Sequence, residues 1–164
     1  MAIIKFKELG KIRLKHRKDK IVLVTGAFDL LHAGHILFFE NCKKIGKILV
    51  VGLGSDKGIE LSKNKGRPIL NQQTRLKMLD STKYVDYCFL DTISDKKPYL
   101  YILEPAFSKL KPDFYVVNND ASQIDTRKAI CLKHGVKLVI KERTCPPEFD
   151  YISTTRIIEK IKNI

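Results

Sequence analysis

Two histidines three residues apart, in a stretch that also holds two glycines, are the side chains of this sequence best suited to chemistry. The stretch reads Thr25-Gly26-Ala27-Phe28-Asp29-Leu30-Leu31-His32-Ala33-Gly34-His35 and follows the apolar run Ile21–Thr25. With Gly34 between them, both imidazoles can reach one anion while the backbone approaches it closely. A helix predicted over His35–Ile45 would begin here, and a helix N-terminus offers free N–H groups and a partial positive charge, a ready phosphate site. A second candidate lies near the other end of the chain. Ser153 makes a good N-cap for a helix over Thr154–Ile161, and the amides and hydroxyls of Thr154 and Thr155 would form another anion cradle. Between them the loop Ser62-Lys63-Asn64-Lys65-Gly66-Arg67-Pro68 is basic enough to suit a polyphosphate, and either Lys63 or Lys65 could follow developing negative charge.

The elements that must carry these loops can be read from periodicity. Short apolar runs at Ile21–Thr25, Ile48–Leu53, Val85–Leu90, Asp113–Val117 and Val136–Ile140 alternate with helical patterns at His35–Ile45, Gln72–Asp80, Pro98–Leu110, Gln123–His134 and Thr154–Ile161. Gly46 and Gly135 punctuate two helix ends. Nearly all-apolar strands alternating with helices predict one Rossmann-like α/β domain, a five-stranded parallel sheet flanked by helices on both faces. Ligands of such sheets lie beyond the carboxyl ends of the strands, where the strand order reverses. The glycines at Gly52 and Gly54 lack the spacing of a dinucleotide fingerprint. Residues 1–20 read as a basic leading helix or extension, with helical character from Phe6 to Arg17.

Composition narrows the partners. A formal net charge of +13 over 164 residues favours phosphate-rich ligands. No basic block interleaved with aromatics suggests a nucleic-acid platform, and no apolar run approaches the roughly 20 residues that span a bilayer. The first residues lack the apolar block of a signal peptide, and Cys42, Cys88, Cys131 and Cys145 are scattered without metal-like spacing. The expectation is a cytoplasmic protein with reduced thiols, no metal site built from protein alone, and neither nucleic acid nor membrane as partner.

The stretch Gly26–His35 resembles the G-x-F-D-x-x-H-x-G-H signature of the cytidylyltransferase-like nucleotidyltransferases, and Ile152-Ser153-Thr154-Thr155-Arg156-Ile157-Ile158 resembles their I-S-T-T-x-I-I. The resemblance runs from about Ile21 to Ile161. It implies a nucleotidyltransferase domain over 21–164, with Thr25, Gly26, Ala27, Phe28, Gly34, Ser153, Thr154 and Thr155 binding the nucleotide, and His32, His35, Lys63 and Lys65 in catalysis. The succession Ser55-Asp56, Lys63 to Pro68, Arg75 and Val85-Asp86 is similar to that of the heptose-1-phosphate adenylyltransferases, and implies acceptor or supporting roles for Asp29, Asp56, Arg75 and Asp86. Asn118-Asn119-Asp120 stands where relatives carry a Gly-Asp loop, and gives Asn119 and Asp120 the same kind of role. Arg143-Thr144 resembles an R-T pair that relatives hold just before S-T-T, here separated from it by Cys145–Tyr151.

The family resemblance further implies a nucleoside triphosphate and a phosphorylated small-molecule acceptor as partners, Mg²⁺ bound with the triphosphate, and a homodimer. An acceptor phosphate is already an anionic nucleophile, so the chemistry would be in-line displacement driven by positioning and charge stabilisation. ATP with a sugar 1-phosphate such as heptose 1-phosphate is the favoured substrate pair. A cytidylyltransferase for glycerol 3-phosphate or a phospho-base is the alternative, and a non-catalytic nucleotide- or nucleic-acid-binding module is the reading from a different class.

Overall fold

A strand buried on both faces has no polar side to show, and the apolar runs of this chain behave accordingly. The computed structural model describes residues 2–63, 66–93, 100–143, 145–149 and 151–164. In chain order it places strand β1 (Ala2–Ile4), a 3₁₀ turn (Phe6–Glu8), α1 (Leu9–Lys15), β2 (Ile21–Gly26), α2 (Ala33–Lys43), β3 (Ile48–Gly54) and α3 (Asp56–Ser62). There follow α4 (Gln72–Asp80), β4 (Tyr87–Asp91), α5 (Leu103–Leu110), β5 (Phe114–Asn118), α6 (Ile124–Lys133), β6 (Lys137–Lys141) and α7 (Thr154–Lys162).

The strands form one sheet in the order β1-β4-β3-β2-β5-β6, parallel at every pairing. Successive side chains of a strand point to opposite faces, and the core divides along that alternation. Ile21 and Leu23 join Leu9, Phe89, Leu103, Phe107 and Tyr115 on one face, whereas Val22 and Val24 join Phe39, Cys42, Leu49, Leu76 and Leu79 on the other. The buried thiols belong to this packing: burial pushes Cys42 and Cys88 up to about 12.

The sheet has six strands rather than the five expected. The extra one, β1, pairs Ala2, Ile3 and Ile4 with Tyr87, Cys88 and Phe89 of β4. Three residues are too few for a period to register in the sequence. The helix expected over Phe6–Arg17 is correspondingly shorter. The helix α3 was also unexpected, being seven residues long with Gly58 inside it; Ser55 caps it, accepting from the Gly58 N–H at 3.0 Å. The helix expected from Pro98 begins at Leu103, with residues 98 and 99 outside the described part of the chain. Gly135 closes α6 at φ +65°, a conformation few other residues take without strain.

Residues 2–20 pack into the same unit as the rest. Leu9 and Ile12 of α1 are buried. Asp113, just before β5, gathers the Arg13 guanidinium at 3.2 Å, the Lys20 ammonium at 2.7 Å and the Ile21 N–H at 2.9 Å. His16 Nε2 meets the Tyr87 hydroxyl at 2.9 Å. We expect Leu9→Ala to cost about 3 kcal/mol of global stability, the ordinary loss for an emptied core leucine. Denaturant unfolding measures it, and an unchanged midpoint would mean that the leading segment carries none of the core.

Candidate active site

Strand order reverses between β2 and β5, and the helices that follow these strands leave toward opposite faces. Phe39 and Cys42 of α2 pack on one face and Cys131 of α6 on the other. Such divergence opens a crevice beyond the strand ends, and a cleft of about 520 Å³ lies there. That volume falls in the range of small-ligand sites. A smaller hollow of about 60 Å³ adjoins it, bordered by Phe38, Phe149 and Tyr151 and sharing His32, His35 and Arg143.

The floor of the cleft is the loop after β2. Phe28 and Leu30 take φ values of 44° and 51°, a left-handed conformation costly for large side chains. Asp29 between them has a side chain with 0% exposure, and accepts from Arg67 Nε at 2.9 Å, the Ile69 N–H at 2.8 Å and the Leu70 N–H at 3.0 Å. So engaged, this carboxylate braces the loop. Arg75 works alongside it. Fully buried, it donates to the carbonyls of Leu70 at 2.9 Å, Ala27 at 2.6 Å and Gly54 at 2.9 Å, and to Asp56 Oδ1 at 2.7 Å. Arg75 and Asp56 therefore support the loop from behind.

His32 is the N-cap of α2, and His35 occupies its first turn, with the two ring centroids 3.9 Å apart. The His32 N–H donates to His35 Nδ1 at 3.4 Å, which leaves the proton of a neutral His35 ring on Nε2 as a donor. Burial, then the charges of His32 and Arg143, hold His35 down to about 3, and burial followed by Arg143 also lowers His32. The protonated form of both rings is thus disfavoured. The Nδ1 atom of His32 is buried with no hydrogen-bond partner among the described residues. Gly34 allows a close approach: a Cβ there would press on the His32 ring at 3.1 Å and meet the Ile152 carbonyl at 3.4 Å.

The far wall is the N-terminus of α7. Ser153 caps it, accepting from the Arg156 N–H at 3.2 Å, and Thr154 Oγ1 donates to the Asp29 carbonyl at 2.7 Å. Ser153, Thr154 and Thr155 all border the cleft, as do Thr25, Gly26, Ala27 and Phe28. Lys63 lies at the rim, and Lys65 falls outside the described residues, as does Thr144. Arg143 reaches the cleft and pairs with Asp120 at 2.7 Å.

Two expected site residues stand elsewhere. Asp86 precedes β4 and so lies at the opposite end of the sheet, held by Lys43 at 2.6 Å and the Leu49 N–H at 2.7 Å. Its role is to tie α2 to the sheet. Asn119 is exposed and outside the cleft lining, its N–H bonded to the Lys141 carbonyl at 2.9 Å. Conversely, Arg67, Ser122 and Arg127 line the cleft without having been singled out. Arg67 sat inside the basic loop but had no role. Arg127 lies on a helix rich in charge, where nothing in the sequence separates it from its neighbours.

A parallel sheet whose switch point gathers two helix N-termini, two neutral imidazoles and several cationic side chains defines an α/β domain for handling phosphate esters. The chain belongs to the cytidylyltransferase-like family, whose model matches residues 23–160, and it is a nucleotidyltransferase. Among curated proteins it is 35% identical over 160 residues to the bifunctional protein HldE of Campylobacter jejuni subsp. doylei, covering 98% of this chain and 32% of that protein. It is 36% identical over 150 residues to HldE of Helicobacter pylori, covering 91% of this chain and 29% of that one. The chain thus spans about a third of the length of these relatives. A solved lipopolysaccharide core biosynthesis protein of Thermoplasma volcanium is similar over 77% of this chain and 99% of its own, with 28% identity and a TM-score of 0.63. A pantoate-beta-alanine ligase of Francisella tularensis shares the fold at 17% identity, with a TM-score of 0.65 over 100% of this chain and 78% of its own.

The depressed His35 titration has a consequence for stability. The unfolded chain takes up the proton below about 6.5, whereas the folded chain resists it until about 3. The unfolded state binds more protons in that window, so stability is complete above pH 6.5 and declines as the pH falls toward 3. We expect a loss on the order of a few kcal/mol across it. His35→Gln, which cannot titrate, should flatten the decline in denaturant melts between pH 7 and 4.

Proposed function

We propose that this nucleotidyltransferase moves AMP from ATP to an aldose 1-phosphate, a heptose 1-phosphate, and releases pyrophosphate. The observation that carries the reading is the convergence on one cleft of His32, His35, the N-termini of α2 and α7, and Lys63. An oxygen of the acceptor phosphate attacks the α-phosphorus while the bond to the bridging oxygen of the pyrophosphate breaks. Negative charge grows on the departing oxygen and spreads over the phosphoryl group, and fixed donors stabilise it with little reorganisation. The His35 Nε2–H and His32 would face the α-phosphoryl group. Ser153, Thr154, Thr155 and Lys63 would receive the β and γ phosphates, and the base would lie toward the aromatic hollow beside Phe38 and Tyr151.

Mg²⁺ belongs to the same proposal. Among the described residues no three His, Cys, Asp or Glu side chains stand together as a metal site, and Asp29 is already occupied by three donors. Phosphate oxygens suit this hard cation, so the ion would arrive on the triphosphate. When bound it would offset the charge that builds on the phosphates. The sugar acceptor is supported by the family pattern around Lys63–Pro68 and by likeness to a protein named for lipopolysaccharide core biosynthesis.

We expect His32→Ala and His35→Ala each to lower kcat at least about 10²-fold, the usual loss for a positioned transition-state donor, and exhaustive chelation to abolish turnover. Steady-state kinetics with ATP and CTP against heptose 1-phosphate, glycerol 3-phosphate and phosphocholine decide the substrates. A higher kcat/KM for CTP, or for a non-sugar acceptor, would overturn the assignment within the family. Salt-sensitive RNA binding without pyrophosphate release would favour a binding module instead.

A further inference from the structure

Tyr115 of β5 is fully buried, its ring packed edge-on against Phe107. Its hydroxyl lies between two groups that reach the cleft: the Arg127 guanidinium, which donates to it through Nη1, and Thr25 Oγ1, at 2.9 Å. Arg127 sits in the opening turns of α6 with 3% exposure, and its Nε donates to the Ser122 carbonyl at 2.8 Å. A cation is thus held under the strand from which the catalytic loop departs.

The chemistry of the three groups gives this chain of bonds a direction. A guanidinium has five N–H donors and no acceptor, so the phenol oxygen accepts from it. A phenol polarised in this way is a better donor and a poorer acceptor, which sends its own proton to Thr25 Oγ1. Having accepted there, the threonine hydroxyl keeps its proton for the cleft.

We propose that Arg127, Tyr115 and Thr25 form a polarised hydrogen-bond relay that makes the Thr25 hydroxyl a donor of fixed direction to a phosphoryl oxygen of the bound triphosphate. The proposal rests on the nucleotidyltransferase reading of the cleft. Arg127 and Tyr115 are positioning residues: they act through Thr25.

The test is a double-mutant cycle on triphosphate affinity. Calorimetry with Mg–ATP and Mg–CTP gives Kd for the wild-type protein, Thr25→Val, Tyr115→Phe, Arg127→Met and the Thr25→Val/Tyr115→Phe double variant, with pyrophosphate release measured alongside. Each single change should weaken binding about tenfold, the worth of one charge-assisted hydrogen bond. The double variant should bind no more weakly than Thr25→Val alone. Lys128→Met, which removes a charge from the exposed neighbour, should leave Kd unchanged. Multiplicative effects in the double variant would overturn the relay, as would a Tyr115→Phe protein that melts lower but binds normally. Should Arg127→Met fail to fold, Tyr115→Phe carries the test. A wild-type protein that binds triphosphate yet releases no pyrophosphate with any acceptor would remove the proposed reaction and leave the relay to be judged on Kd. A wild-type protein that binds neither triphosphate would overturn the relay as well.

Discussion

Phe28 and Leu30 each hold a backbone conformation that costs about 1 kcal/mol or more, and the carboxylate of Asp29 between them supplies the bonds that keep them there. Its three donors come from the segment Arg67–Leu70, and its own carbonyl receives Thr154 from α7. One short loop is thereby tied to two parts of the chain far from it in sequence. Arg75 completes the arrangement from below by taking up the Ala27 and Gly54 carbonyls. These bonds are made by charges shut away from water, where each is worth more and a missing partner costs more. The positions of His32, the α7 N-terminus and the basic rim all follow from them.

The cleft's attraction for phosphate does not depend on protonated histidine. Burial keeps the imidazole of His35 neutral, and positive potential comes instead from Arg143, Lys63, Arg67, Arg127 and the ends of two helices. These fixed charges and backbone dipoles do not change near neutral pH, and neither does the protonation of the His35 ring. A net charge of +13 extends the same attraction beyond the cleft.

The fold was legible where periodicity ran long enough. Ile48–Leu53 and Ile21–Thr25, apolar throughout because both faces are covered, were read as parallel strands and are paired with each other in the structure. Ala2–Ile4 escaped because three residues make no pattern, and α3 because a glycine interrupts it. Within the site, His32 and His35 were readable because histidine is rare in this chain and the pair flanks Gly34, and Ser153–Thr155 because a serine and two threonines open a helix; all five border the cleft. Asp86 was not readable in the same way. Its neighbours in sequence matched a family pattern, but whether a residue before a strand or after it meets the ligand depends on the strand's direction. The hydroxyl of Tyr115 was hidden for the opposite reason, since a tyrosine in an apolar strand looks like packing until its partners across the sheet are known.

The short strand β1 also has a bearing on how the edge of the sheet is kept covered. Ala2–Ile4 pairs with β4, a partner more than eighty positions along the chain, so this pairing must close a long loop for little hydrogen-bonded return. It is among the pairings most prone to open by itself, ahead of the longer β2–β3 ladder, and its amides should be among the first of the sheet to exchange with solvent. Each opening bares the backbone of Tyr87–Phe89 as an unpaired sheet edge, the kind of surface on which chains add to one another. Three residues at the margin of the fold therefore act as a cover for its interior strands, far from the cleft and indifferent to what binds there.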